Sequence, residues 1–390
     1  MLQEAIKIAA TYGIQFMDVG DTDGVTSIIQ EFPDELVQSN HYLLFLRGAS
    51  LMSAESAQSF SCLYRALISF CKSRDCNLQI KTLGLMIAIC YQKNDLKQIQ
   101  SAIVLIPKFK AAAMSKYARI TLLLSAFMKV VWDDKLKLGS ILYRVIEHIS
   151  FFELLWDYTF KMAKGILLYR SGDLKAAEKI VLQILNHQTA LTNDLWRSIG
   201  LAACHSITYL MRDIAGSQKI AAELASIREK YNSDYAKGYA LRLVSYNKYQ
   251  TRDIKGAVSN MDESSNIFAR NGNPIMACVE RITKHMWEAE YSSAVPLAEK
   301  ALKDLNELVS LKPGQGFLES CQAVVSSVLI EANNFIESEK LLLQSYKTSK
   351  DKNALQSMSG AAMHLDDLYF RINDVKLEKK YLIIWGNTAS

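Results

Sequence analysis

The sequence predicts an all-α fold, a right-handed superhelix of stacked helical hairpins, on three observations. Apolar residues recur at three- and four-residue spacing through long stretches such as Phe152 to Arg170. Only 5 prolines and 17 glycines occur in 390 residues, too few for the many turns of an all-β chain of this length. A short turn-bearing segment then returns at a nearly constant interval. At this length a chain forms either several compact domains or an elongated array, and the recurrence selects the array.

Taken in order, residues 1–90 read as opening repeats of degenerate pattern, with copies near GDTDGVTSIIQEF and LMSAESAQSFSCLYRAL. Residues 91–310 carry the regular repeats. YQKNDLKQIQSAI begins at Tyr91, YRSGDLKAAEKIVLQIL at Tyr169, YLMRDIAGSQKIA at Tyr209 and YQTRDIKGAVSNM at Tyr249. Each has Tyr, then Asp four residues on, then an aliphatic residue and soon a small one. Indexed on the Asp position, the series is Asp95, Lys135, Asp173, Asp213, Asp253, Glu290, Asn334 and Asp374, at intervals of 40, 38, 40, 40, 37, 44 and 40. Residues 311–390 hold the last repeats and a cap. The loop LKPGQGF, Leu311 to Phe317, coincides with the interval of 44 and reads as an insertion between repeats. The chain 1–390 is thus one array.

The physics of one copy follows from Gly172-Asp173. Gly takes positive φ where the first helix ends, and Asp caps the second, which runs from about Leu174 to Leu185. Ala177 sits where the two helices cross, and equivalent positions hold Gly139, Ser217, Ala257, Ala294 and Ser338. One hairpin cannot bury its apolar face alone, so successive hairpins stack.

This pattern resembles the tetratricopeptide repeat (TPR), most closely in the copy with Gly165, Gly172-Asp173, Leu174 and Ala177. The period near forty exceeds that family's period of about 34, and the closing proline is missing from most copies. Longer helices look like the MalT-like variety, found in the sensor region of large bacterial signal-transduction ATPases that regulate transcription. HYLLFLRGASLMSAESAQSFSCLYRALISFCKSRD, His41 to Asp75, is similar to the first repeat of that region, and SSNIFARNGNPIMA resembles a recurrent helix end.

The resemblance implies a non-catalytic sensor or interaction region of a bacterial transcriptional regulator. Its partner would be a protein, a peptide or a small-molecule effector, with no cofactor. No GxxxxGK[ST] phosphate loop or clear helix-turn-helix unit accompanies it. Two other readings stay open. One is a stand-alone scaffold that binds a peptide segment of a partner. The other is a peptide-responsive regulator of phosphorelay type, for which residues 1–40 look too short and too apolar to supply a catalytic bundle.

In tetratricopeptide arrays the first helix of each pair lines the concave surface. That implies a groove holding Tyr239, Arg242, Tyr246 and Tyr249, joined by Tyr169, Ser206 and Tyr209 from neighbouring copies. Rings supply contact area, hydroxyls supply direction, and Arg pairs with a carboxylate. The same spacing also suits tyrosines that only pack between adjacent helices.

Other chemistries find little support. The six histidines, His41, His148, His187, His205, His285 and His364, share no ligand-like spacing, so no metal site is expected. The seven cysteines sit mostly in apolar helical contexts, and Cys71 and Cys76 do not form a CxxC pair. Lys108, Lys110, Lys116 and Arg119 read as a solvated face. A net charge of +5 spread over the chain gives no nucleic-acid stripe. MLQEAIKIAATYGIQF has no basic stretch ahead of an apolar core, and no run is long enough to span a bilayer, so the cytoplasm is the expected compartment. The apolar last helix, with Leu377, Tyr381, Leu382, Ile383, Ile384 and Trp385, is expected either to pack on the preceding repeat or to mediate self-association.

Overall fold

A computed structural model of the chain describes residues 2–19, 21–52, 56–93, 127, 130–131, 136–147, 154–186, 197, 200–201, 204–205, 207–208, 213–230, 234–313, 316–352 and 354–389. Among the described residues every regular element is a helix, eighteen in all. The opening part holds α1 (Leu2–Val19), α2 (Thr22–Gln30), α3 (Asp34–Ser39), α4 (His41–Ser50), α5 (Ser56–Ser73) and α6 (Cys76–Lys93). These share one core built on Leu43, Phe45, Leu63, Leu67 and Phe70. Gly48 lets α4 and α5 approach: a Cβ there would come within 2.6 Å of Leu63.

The rest is α7 (Leu136–Glu147), α8 (Leu154–Arg170), α9 (Leu174–Leu185), α10 (Ile214–Lys230), α11 (Asp234–Gln250), α12 (Ile254–Arg270), α13 (Pro274–Glu288), α14 (Ala294–Leu311), α15 (Phe317–Glu331), α16 (Phe335–Lys352), α17 (Leu355–Arg371) and α18 (Val375–Ala389). Each of these from α10 onward packs against the next in sequence, and alternate helices α13, α15 and α17 also touch in turn. That is the contact pattern of stacked hairpins.

The hairpin turns before α9, α12, α16 and α18 share one chemistry. Gly172, Arg252, Asn333 and Asn373 take positive φ at the helix end. The next residue sends its N–H back to the last turn of the first helix, as Asp173 does to the Leu168 carbonyl at 3.0 Å and Asp374 to the Tyr369 carbonyl at 2.9 Å. Its side chain then accepts from the N–H three residues on. Asp173 takes Ala176, Asp213 takes Gly216, Asp253 takes Gly256 and Asp374 takes Leu377, at 2.9–3.1 Å. Asn334 makes a longer version to Glu337 at 3.5 Å.

Arg252 holds φ 66° without being Gly or Asn. Left-handed backbone costs such a residue roughly 1–2 kcal/mol, against a smaller entropic penalty for glycine. Its ion pair with Glu290, at 3.5 Å, leaves Arg252 79% exposed and contributes little. Arg252→Gly is therefore expected to raise stability by about 0.5–1 kcal/mol in chemical denaturation. A loss of stability would assign the ion pair more weight than the backbone.

One register differs from the sequence reading. Glu290 is not a cap: the helix restarts after Ser293, the N-cap of α14. The turn before it, with none of the positive-φ residues that mark the other turns, runs longer. The caps therefore fall at Asp173, Asp213, Asp253, Ser293, Asn334 and Asp374, at intervals of 40, 40, 40, 41 and 40. The LKPGQGF loop then stands in a spacing of 41, not 44, and is no insertion of several residues. Ala294 is likewise only the first residue of α14, and buried Leu297 takes the crossing position. Elsewhere the small residues stand where expected: Ala177, Ser217, Ala257 and Ser338 are fully buried, and a Cβ on Gly139 would meet Leu167 at 3.2 Å. Asp95, Lys135, Lys108, Lys110, Lys116 and Arg119 lie outside the described residues.

Buried serines stitch the stack. Ser217 donates to Asn247 Oδ1 at 2.8 Å, Ser264 to the Gly238 carbonyl at 2.9 Å and Ser345 to the Glu319 carbonyl at 2.9 Å. The last helix packs back on its neighbour. Tyr381 is buried and stacks on Tyr369 at 5.6 Å, while Leu382 and Ile383 stay exposed.

The array also meets itself. Helix α8 touches α17, and Ala354, just before α17, joins the core of Phe160, Ala163 and Leu167. Gly172 lies against Leu355, and Arg170 and Ser357 both lie beside Gly316. Helix α1 also touches α8, and α6 touches α13.

Candidate functional site

Because α8 and α17 meet, the helices between them surround a cavity of about 390 Å³, within the range of ligand sites. Its wall comes mainly from the first helix of each hairpin. Helix α8 gives Met162, Gly165, Ile166, Tyr169 and Arg170, and α11 gives Arg242, Leu243 and Tyr246. Helix α13 gives Val279 and Thr283, and α15 gives Phe317, Ser320, Cys321 and Val324. Val181 and Ile184 of α9, Ser357 of α17, and His205 and Ile207 also line it.

Of the residues expected in a groove, the structure brings Tyr169, Arg242 and Tyr246 to the cavity. Tyr239 and Tyr249 are turned to core contacts. The Tyr239 ring meets Phe268 edge-on at 5.1 Å. Tyr249 stacks on Trp287 at 4.8 Å, and its hydroxyl donates to Glu290. The reason is geometric. Positions 239, 242, 246 and 249 form one stripe on α11, but its ends meet α12 and α13 while its middle faces the cavity. Ser206 and Tyr209 lie outside the described residues.

The polar end of the cavity is built on Arg242. Its guanidinium lies 5.7 Å from the Tyr246 ring centroid, and Tyr246 is in hydrogen-bonding reach of Arg242 and Thr283. Behind it on α13 is Glu280, wholly buried, with Oε1 3.3 Å from Arg242 Nε. Neither Glu280 oxygen receives a hydrogen bond. Burial pushes its carboxyl up to about 7, against the pull of Arg242. Burial opposes the charge of Arg242, but Glu280, Tyr246 and Tyr239 together outweigh it and hold the guanidinium above its ordinary value. His205 Nε2 lies 3.4 Å from Asn247 Oδ1. Burial lowers His205 to about 4, with the Asn247 bond opposing, so it is neutral near pH 7. Burial raises the Cys321 thiol, which stays protonated. No group of His, Cys, Asp or Glu suited to hold a metal occurs among the described residues.

The sequence reading missed Arg170, Thr283, Ser320, Cys321 and Ser357. The signal that finds them is distance from the cap. Cavity residues lie eleven to three positions before Asp173 on α8, and eleven to seven before Asp253 on α11. They lie fourteen to ten before Ser293 on α13, seventeen to ten before Asn334 on α15, and seventeen before Asp374 on α17. The cavity thus crosses each successive first helix nearer its N-terminus.

Fold and cavity together define a class, the all-α arrays of stacked helical hairpins that enclose a binding-sized cavity on their first helices. The fold is similar to that in the solved structure titled "Crystal Structure of Rap Protein Complexed with Competence and Sporulation Factor", with a TM-score of 0.51 and 13% identity over 99% of this chain and 98% of that one. At that identity the likeness is one of helical-repeat fold, and it does not single out the MalT-like variety. No protein-family model and no curated protein matches the sequence. No helix among the described residues is long and apolar enough to cross a membrane.

Proposed function

We propose that this chain is a non-catalytic helical-repeat protein that binds a short peptide in the cavity between α8 and α17. The observation that carries the reading is the wall itself. It pairs apolar surfaces from Val181, Ile184, Leu243, Val279 and Val324 with hydrogen-bonding groups from Tyr169, Tyr246, Thr283, Ser320 and Ser357. An extended peptide needs both, apolar pockets for side chains and polar groups for its backbone. The similar Rap structure is itself a complex, which supports the same use of the fold. A regulatory role follows if occupancy biases how α8 and α17 meet, because a ligand shifts an equilibrium only through its contacts in one state.

The test is retention of peptides from a random pentapeptide pool by the full chain, read by mass spectrometry. Retained peptides are expected to stabilise the fold by about 2.7 kcal/mol at a hundred times their Kd. Ser320 is exposed at the cavity edge, so Ser320→Trp fills the cavity without disturbing a core. That variant is expected to keep its stability and lose retention. Equal retention by Ser320→Trp would move binding elsewhere, and no retention by the unaltered chain would end the peptide reading.

A further inference from the structure

The cavity carries a charge pattern that its size does not require. Among the described residues two arginines, Arg170 and Arg242, line it, and no Asp or Glu does. The carboxylate paired with Arg242, Glu280, is 0% exposed, whereas the Arg242 side chain is 21% exposed. A bound molecule therefore meets the arginine and not the acid behind it. Glu280 sits against Arg242 Nε at 3.3 Å with no hydrogen bond to either oxygen. A buried carboxylate so poorly satisfied is costly to keep. What it supplies is position, since it holds the guanidinium at one point of the wall beside Tyr246 and Thr283.

Resting on the peptide reading of this cavity, we infer that the ligand is selected by a terminal carboxylate, with Arg242 as its anchor and Glu280 as the positioning residue behind it. Arg forms charge-assisted bonds to carboxylates with directional geometry. The Tyr246 hydroxyl stands beside it as a further donor, and the apolar walls at Leu243 and Val279 receive the adjoining side chain. The ionisable groups facing Glu280 are Arg242 and Tyr246 on α11 and the Cys321 thiol on α15. Burial raises both Tyr246 and Cys321, so Arg242 is the charged one. When Glu280 ionises it offsets Arg242, so the preference for a carboxylate weakens as pH rises.

The experiment uses two random pentapeptide pools, one of free acids and one of C-terminal amides, with octanoate as a small-acid probe. The full chain is expected to retain the free acids at least about tenfold over the amides, and more so at pH 6 than at pH 8. Equal retention of both pools overturns the carboxylate anchor and leaves peptide binding standing. Stabilisation by octanoate with neither pool retained leaves the anchor and overturns the peptide reading. No binding of any probe overturns both. The double variant Arg242→Gln/Glu280→Gln removes the charge pair together and strands no buried charge. It is expected to keep its helical circular dichroism and to lose the preference, and an unchanged preference refutes the role of Arg242. Glu280→Gln alone is expected to keep the preference but flatten its pH profile, and a profile that stays steep removes Glu280 from the positioning role.

Discussion

Trp287→Ala is expected to lower stability by about 3–5 kcal/mol, the cost of emptying a large aromatic site in a packed core. Trp287 is 1% exposed on α13. One of its faces stacks on Tyr249 at 4.8 Å, and Tyr246 meets it edge-on at 5.1 Å. Ala257 and Met261 of α12 close the cluster. A single ring therefore joins three helices, and its loss leaves a void that none of them can fill alone. Trp287 does not line the cavity, but Tyr246 does, so the variant is also expected to retain peptides more weakly. Urea denaturation supplies the first number and pool retention the second. A stability loss under about 1 kcal/mol would mean that the ring is not the keystone its contacts indicate.

A second large effect is a dependence on pH that belongs to Glu280. Its carboxyl stands at about 7 in the folded chain against an ordinary 4.5. Between those values the folded chain holds a proton that the unfolded chain has lost. The stability it contributes is present in full below about pH 4.5 and disappears as pH rises to about 7, roughly 3 kcal/mol in all. His205 acts in the opposite sense. Its folded value is depressed from 6.5 to about 4, so its contribution is present above pH 6.5 and lost on acidification. The clean measurement is therefore the difference between the unaltered chain and Glu280→Gln, in which His205 cancels. The variant is expected to match the unaltered chain near pH 4 and to exceed it by about 3 kcal/mol at pH 8. A difference that does not grow with pH would show that Arg242 already compensates the carboxylate.

The turns were legible in the sequence because their chemistry is local. A residue able to take positive φ followed by Asp or Asn, as in Gly172-Asp173 and Asn373-Asp374, marks helix end and helix start together. The slip at Glu290 has the same cause in reverse. EAEYSSA offers no Gly or Asn, so composition gave no reason to choose Ser293. The cavity was only partly legible. Arg242 and Tyr246 could be placed from one helix, but Thr283, Cys321 and Ser357 could not. Their positions depend on how far each hairpin is shifted along its neighbour, and that shift resides in many packing contacts rather than in any motif.

The meeting of α8 and α17 limits how this chain can vary in length. An open row of hairpins tolerates the gain or loss of a unit, because each unit touches only its neighbours. Here Gly172 rests on Leu355, and Arg170 and Ser357 both lie beside Gly316 at the seam. Removing one forty-residue unit between them would bring the wrong faces together, whatever the fit of the remaining neighbours. The number of hairpins between α8 and α17 is therefore fixed by closure, as the number of staves is fixed in a cask of given girth.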